Sequence, residues 1–541
     1  MTKSPYFKAE HEEFRQIARQ FIVQEVLPNA ATWDDQRALP RSIWKRMGEL
    51  GFLGLNVPEQ YGGSGLDFFY SVAWTEEVAG SLNGGFAAAV GVHQYMSIAH
   101  IERVGSEYLK TRYLQTAVTG EKIGALAVSE PNAGSDVAAL RSTIRRDGDH
   151  YILNGAKTFI TNGVYSDFVV VACRLEGTKS VEGICLVVVD RDMPGFSANK
   201  LRKMGWHSSD TGELFFDNVR IPLQNLVGQE GMGFYYIMES FQLERLIAGI
   251  GSIAGAEMGL ELTLKYINER KAFGKTIGKF QSLRHDLVNI ATEIEAAKQL
   301  TYYAAWLYDQ GETAVKECSM SKLLTTEVAK KAVDVCLQCF GGYGYMEEYP
   351  IERMYRDARV GTIVGGTSQI MREILSKMLI DQISFKPVYN APENITIPTP
   401  PTSPAPPTPA TANPNSEETV LIHKPIHQEM ANAQTAREIV LSLPSRLKKH
   451  KVSADYDTTV HLDISGTNGG QFTVRVNNGS CTVEEGLSGT PKCVVTTSDS
   501  VYEGVETGRE NAQMAVMFGK IKLTNIAEMM TFTGLFERIS G

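Results

Sequence analysis

The chain has 541 residues, a formal charge of −9, and ordinary apolar (43%) and aromatic (9%) fractions, so it is too long for one compact core and suits roughly two to four globular domains. Its acidic balance disfavours nucleic acid or an anionic membrane surface, both of which need concentrated positive charge, while leaving room for a local basic pocket. Seven scattered cysteines are too few to staple such a chain and point to reduced thiols in the cytoplasm. The opening MTKSPYFKAEHEEF carries no targeting signal, and no uninterrupted apolar run reaches the ~18 residues of a transmembrane segment.

In chain order, residues 8 to 120 read as helical, with EEFRQIARQFIVQEVLP ending at a proline and PRSIWKRMGELGF broken by glycine. Residues 123 to 230 switch to short Val- and Ile-rich runs such as HYILNGAKTFI, DFVVVACR and GICLVVVD, which read as sheet. The helical period returns from 235 to 384, where Leu283, Leu287, Ile290, Ile294 and Ala297 form the stripe of an antiparallel bundle. The segment KPVYNAPENITIPTPPTSPAPPTPATANPN is dense in proline and reads as an extended, semi-rigid tether. Beyond it, a helical stretch near 426–447 precedes alternating strands, HLDISG and QFTVRVNNGSCTVEEG, with Asn478-Gly479 suited to a tight hairpin. KCVVTTSD follows as a strand, then Met- and Phe-rich helices, giving a small α+β unit. The expected domains are 1–122 (α-helical), 123–235 (central β), 236–385 (α-helical bundle), 386–420 (linker) and 421–541 (α+β).

Four strings carry chemistry. LAVSEPNAGSD (126–136) runs a strand into a loop able to present N–H groups and hydroxyls, although a plain strand-ending turn would look the same. FITNG (159–163) puts an aromatic ring beside a hydroxyl, suited to a planar cofactor or simply to a strand and turn. RKAFGKTIGKFQ (270–281) is basic and aromatic. QCFGGYGYMEEYPIERMYRDARVGTIVGGTSQIMRE (338–373) pairs glycines that allow close backbone approach. Cys336 and Cys339 form a lone CxxC without a second pair, and His93, His207 and His285 lack metal-ligand spacing, so no metal site is expected.

In this order and at these separations, the four strings resemble the acyl-CoA dehydrogenase family over residues 8–384. The resemblance implies a helical N-terminal domain, a central β domain and a C-terminal four-helix bundle. It implies FAD as cofactor, with Leu126, Val128, Ser129, Gly134, Ser135, Phe159 and Thr161 at FAD or the acyl-CoA, and Thr367 and Gln369 over its adenosine part. Arg270, Phe273, Gln281, Gln338 and Gly342 would bind the FAD of a neighbouring subunit, hence at least a dimer and usually a homotetramer. Ser135, Phe241 and Arg245 would contact substrate.

Many relatives carry their catalytic glutamate directly before the Gly-Thr-Ser triplet, where this chain has Gly365, which cannot take a proton. The long-chain and isovaleryl branches place the base earlier, before an arginine, and here Glu244-Arg245 stands at that place. Phe241, Leu243, Leu246 and Ile247 surround Glu244 in sequence, and burial among them raises a carboxyl pKa towards the range useful for a base. On a helix such a residue is otherwise a solvated charge; the glycine at 365 tips the reading to Glu244 as catalytic base, with Arg245 supporting it. The resemblance implies that Glu244 removes the α proton of an acyl-CoA while hydride leaves the β carbon for FAD, giving a trans-2-enoyl-CoA, with an electron-transferring flavoprotein as acceptor.

The tail resembles the sterol carrier protein 2-like domain in its strands 458–486 and in CVVTTSDSVYEGVETGRENAQMAVMFGKIKLTNIAEMM. That implies lipid or acyl-CoA binding in the C-terminal domain, and a tethered carrier raises the local concentration of a long or bulky acyl chain. Alternatives are a flavin-dependent oxidase or monooxygenase on the same fold, or a non-catalytic lipid-binding scaffold.

Overall fold

Amphipathic and capped segments build the N-terminal layer. In the computed structural model, which describes residues 4–381, 435–448, 452, 456–477, 479–507, 512, 515 and 520–537, the chain forms two compact units, Met1–Ser376 and Lys377–Gly541. The proline-rich stretch 386–420 lies outside the described residues. The first unit starts with α1 (Ala9–Phe21), α2 (Ala30–Gln36), α3 (Arg41–Glu49), α4 (Phe68–Ala79), α5 (Gly84–Gly91) and α6 (Ile98–Val104), then the short α7 (Glu107–Leu109) and α8 (Gln115–Val118). Asp67 and Asn83 cap α4 and α5 by accepting from the N–H groups of Phe69 and Phe86 at 3.0 Å each. Helical structure does not stop at Pro28, contrary to the sequence reading. A π turn at Ile22–Val26 and a 3-10 turn at Leu27–Asn29 carry it into α2, because the missing proline N–H falls where the ladder is already irregular. Trp74 stacks on Phe52 with centroids 4.4 Å apart in the core of this layer.

The middle layer is a sheet of β1 (Gly124–Ala127), β2 (Thr143–Asp147), β3 (His150–Thr161), β4 (Phe168–Leu175), β5 (Ile184–Asp190), β6 (Phe196–Lys200), β7 (Thr211–Pro222) and β8 (Leu226–Val227). Its order is β6-β7-β3-β2-β4-β5-β8, with β1 parallel to β4. Covered on both faces, β4 and β5 are unbroken apolar runs rather than alternating ones. His93, at the π turn Val92–Ser97, docks β1: its Nδ1 accepts from the Gly124 N–H at 3.0 Å and its Nε2 donates to the Ala117 carbonyl. Burial lowers its pKa to about 4, which keeps this tautomer neutral.

The bundle comprises α9 (Gly233–Glu269), a β9 (Lys271–Ala272) and β10 (Lys275–Thr276) hairpin, α10 (Gln281–Asp309), α11 (Val315–Phe340), α12 (Pro350–Ala358) and α13 (Ser368–Leu379). Among the described residues α9 is the one helix long and apolar enough to cross a membrane; here its apolar residues pack into the bundle core. Leu287, Ile290, Ile294 and Ala297 are buried as their spacing requires, with Leu283 half-buried against them. Shortening Ile290 to Val is expected to cost about 1 kcal/mol, read as a lowered thermal midpoint; no shift would show that the stripe is loosely packed.

The second unit holds α14 (Ala436–Leu441), α15 (Leu443–Arg446), β11 (Asp457–Ser465), β12 (Gly470–Asn477), β13 (Ser480–Glu485), β14 (Cys493–Ser498), α16 (Asp499–Glu506), β15 (Lys522–Leu523) and a last helix, Ile526–Gly534. The sheet order is β13-β12-β11-β14-β15, with β11 parallel to β14. Asn477 pairs with Ser480 across a two-residue turn in which Gly479 takes a φ of 72°; Asn478 lies outside the described residues. The expected helix near 426–447 is described from residue 435, as α14 and α15. Arg446 is wholly buried and ties the layers together, donating to Glu506 and to the Glu537 carbonyl, both at 2.9 Å.

Candidate active site

The end of β1 and the end of β3 meet. The Thr158 N–H donates to the Ser129 carbonyl at 3.0 Å, which sets Leu126, Val128 and Ser129 beside Phe159 and Thr161. An ion pair that sequence reasoning missed fixes this junction. Lys157, fully buried, donates to Glu130 at 2.7 Å and to the Val128 carbonyl at 3.0 Å. Glu130 also accepts from the N–H groups of Arg141 and Ser142 at 2.6 and 2.9 Å. Burial alone would raise the Glu130 pKa, but Lys157 and these donors hold it below its ordinary value. The signal was a lysine in the middle of a segment already read as strand, HYILNGAKTFI. From Glu130 the loop turns outward, leaving Gly134 and Ser135 exposed.

Phe159 sits at a register shift between β3 and β7, at φ 62°, with 71% of its surface exposed. A bulge of this kind re-aims a side chain, and a bulky residue held at positive φ marks strain kept for use. Phe273 repeats the pattern at the β9–β10 turn, at φ 53° and 93% exposed. Two large aromatics held open in left-handed backbone are platforms awaiting a partner surface.

Glu244 lies on the fourth turn of α9 and is 5% exposed, with one carboxyl oxygen lacking a hydrogen-bond partner. Desolvation lifts its pKa to about 8, and the neighbouring Arg245 only partly opposes this. Arg245 is itself buried, with its guanidinium carbon 5.5 Å from the centroid of the Phe241 ring and its Nε unpartnered. Lys322 of α11, buried and close enough to Arg245 to feel its charge, donates to the Gly366 carbonyl. Both glycines of the Gly365–Gly366 turn have positive φ, 62° and 93°, and open space surrounds the missing Cβ of Gly365. Thr367 then caps α13, accepting from the Ile370 N–H at 3.2 Å.

Thr367 and Gln369 line a groove of 640 Å³ with Lys330, Lys331 and Arg359 on its walls. Arg270, Phe273, Gln281, Gln338 and Gly342 gather elsewhere and are all exposed; Arg270 lies 5.4 Å from the Tyr343 ring centroid. Arg270 directly follows α9, 26 residues beyond Glu244, about 39 Å away at ~1.5 Å per residue. The five do not share a site with Glu244 on one chain. Cys336 and Cys339 are buried thiols, Cys339 pushed up to about 11 by burial, and no group of three metal-ligating side chains converges among the described residues.

A deeply buried, partnerless carboxyl with a raised pKa suits removal of a proton from a weakly acidic carbon; the open rings of Phe159 and Phe273 suit a planar group, and the separate groove with Lys330, Lys331 and Arg359 among its walls suits a phosphorylated one: the equipment of a flavin-dependent oxidoreductase. Models of the acyl-CoA dehydrogenase N-terminal, middle and C-terminal domains match residues 8–121, 125–219 and 231–380, and the SCP-2 sterol transfer family model matches residues 441–537. The chain is 37% identical to the long-chain specific acyl-CoA dehydrogenase of Sus scrofa mitochondria, over 69% of its length and 87% of the relative's. It is 36% identical to isovaleryl-CoA dehydrogenase of Pongo abelii, over 68% and 88%. The crystal structure of acyl-CoA dehydrogenase from Geobacillus kaustophilus superposes with a TM-score of 0.68 at 42% identity, covering 70% of this chain and all of that one.

The chain belongs to the acyl-CoA dehydrogenase family, with a lipid-binding SCP-2 domain fused at its C-terminal side. It is an FAD enzyme that dehydrogenates an acyl-CoA, and the residues present fit that cofactor: exposed rings for a planar system, Phe159 and Phe273, and cations, Lys330 and Arg359, for phosphates.

Proposed function

We propose that Glu244 is the base of this dehydrogenation and that the substrate carries a long or bulky acyl group. The carrying observation is the carboxyl itself: buried, partnerless and lifted to about 8, in a chain whose other candidate base position is Gly365. FAD, when bound, would supply the oxidising power for loss of the β hydrogen as hydride. Leu126, Val128, Ser129, Phe159 and Thr161 would hold the flavin end, Gly134 and Ser135 the loop over flavin and acyl-CoA, and Thr367 and Gln369 the adenosine end. Glu244 takes the α proton, and Arg245 with Phe241 orients the base and the chain entering beside it.

Arg270, Phe273, Gln281, Gln338 and Gly342 would complete the FAD site of a second copy, which their distance from Glu244 supports, giving at least a dimer and as a whole a homotetramer. Changing Arg270 to Glu is expected to weaken FAD binding at least tenfold, with a smaller assembly in sedimentation; an intact, yellow oligomer would count against the shared site. Electrons leave to an electron-transferring flavoprotein. Seven free cysteines support a cytoplasmic setting. The long or bulky acyl group rests on the SCP-2 domain and on the likeness to a long-chain enzyme. Dye reduction with CoA esters from short to very long, including steroid-side-chain esters, tests it: highest kcat/KM on short straight chains would overturn that part.

A further inference from the structure

The face of the central sheet that carries Thr161 also holds a cation with no carboxylate bonded to it. Thr161, last in β3, lies directly opposite Thr211, first in β7, and Ile160 lies opposite Gly212. Opposed residues of an antiparallel pair point their side chains to the same face, with Cβ atoms roughly 5 Å apart. Ile160 belongs to the buried core of the sheet, so Thr161 and Thr211 stand together on the other face. Lys203 reaches that face from the connection between β6 and β7. Its Nζ donates to the hydroxyls of Thr211 and Ser209, both at 2.8 Å.

Among the described residues Lys203 forms no ion pair. The carboxyl groups whose charge reaches it are Asp210, Asp357 and Asp34, and each is held elsewhere. Asp210 accepts from the Val164 N–H at 2.6 Å. Asp357 of α12 accepts from the N–H groups of Trp206 and Gly84 at 2.5 and 2.9 Å. Asp34 of α2 faces Arg356 at 3.5 Å and His207 at 3.6 Å. Lys200 adds a second positive charge nearby, and His207 bonds to the Lys203 backbone carbonyl at 3.0 Å, not to its ammonium. Burial outweighs the pull of the carboxylates and lowers the Lys203 pKa to about 8. An ammonium supported by hydroxyls alone gains from any negative charge that arrives on its face.

We propose that Lys203 raises the reduction potential of FAD bound against Thr161, its positive charge favouring the reduced cofactor. This rests on the reading of Thr161 as a residue of the flavin end. A hydride carries two electrons and one proton, so its arrival adds one unit of negative charge to the cofactor, and a cation on the same face favours that state. Lys203 acts through its field and through Thr211, and so is a positioning residue. Pinning the connection between β6 and β7 does not by itself require a charge, since a neutral donor would serve the same two hydroxyls.

The test measures the midpoint potential of the FAD-loaded enzyme, without acyl-CoA, by equilibration with reference dyes from neutral to alkaline pH. Lys203→Met should lower the equilibrium constant for reduction at least tenfold at neutral pH, a fall of about 30 mV for two electrons, while the protein keeps its yellow FAD. Lys203→Arg should keep most of the wild-type potential. In the wild type the potential should fall more steeply with pH above about 8, where reduction begins to draw one further proton onto Lys203. That extra slope should vanish in Lys203→Arg, which stays charged, and in Lys203→Met, which has nothing to titrate. Should Lys203→Met fail to fold, the wild-type slope and Lys203→Arg still decide. An unchanged potential in Lys203→Met, an equal fall in Lys203→Arg, or a wild type without the extra slope overturns the proposal. Thr161→Val separates it from the reading beneath it. A flavin spectrum or potential that moves in Thr161→Val but not in Lys203→Met overturns the role of Lys203 alone. If neither variant moves them, the placement of the flavin end at Thr161 falls with it.

Discussion

Replacing Glu244 by Gln is expected to lower kcat on any acyl-CoA by about 10³-fold or more while the protein keeps its yellow FAD, because the amide fills the same volume but cannot take a proton. Two pH measurements separate a base from a merely buried acid. In the wild type, kcat/KM should climb with pH and level off above about 8, as the free enzyme's carboxyl ionises. Stability should move the other way. The folded-state pKa is raised, so the neutral form stabilises the fold fully below the unfolded carboxyl pKa of ~4.3, and that contribution is lost as pH climbs through about 8. The shift corresponds to a difference on the order of 5 kcal/mol. Glu244→Gln should therefore gain several degrees in melting temperature relative to wild type at pH 9, and little at pH 4. Near-normal turnover in the variant would sink the assignment of the base.

Lys157→Met should be the most damaging single change in the central sheet. It leaves the Glu130 carboxylate buried without its cation, a situation that costs about 3–5 kcal/mol. The Val128 carbonyl loses its donor as well, so the strand end that carries Val128 and Ser129 loosens just where it meets Phe159. Weakened retention of FAD should accompany the lower melting temperature. Neutralising the partner too, in Glu130→Gln/Lys157→Met, should recover part of the loss, since no unpaired charge then remains inside. A loss under 1 kcal/mol for the single variant would mean that water reaches the pair.

The layers were legible in sequence because their periods differ. The four-three stripe through Ile290 and Ile294 could only be bundle, and the unbroken Val runs of β4 and β5 only a sheet covered on both faces. Glu244 was singled out through the family resemblance, with Gly365 where many relatives carry their base and Glu244-Arg245 where the long-chain and isovaleryl branches do; its burial on α9 matches the apolar neighbours read in sequence. What stayed hidden was polar and non-local. Glu130 and Lys157 are 27 residues apart and find each other only when β1 and β3 align. His93 looks like any core histidine until the Gly124 N–H arrives opposite it. The helix carried past Pro28 because an irregular turn already absorbed the missing donor, which local rules do not foresee. Phe159 was named from its motif, but its exposure follows from a register shift that no single-strand pattern contains.

α9 carries the base on its fourth turn and hands over to Arg270 without a break, which makes it a ruler as well as a scaffold. Inserting one residue anywhere between Glu244 and Arg270 would turn one end by about 100° against the other and shift it by ~1.5 Å. The carboxyl or the far-end cluster would then leave its place, however well the bundle healed around the change. Length within this helix is therefore the property least open to drift, even where side chain after side chain along its outer face can be exchanged.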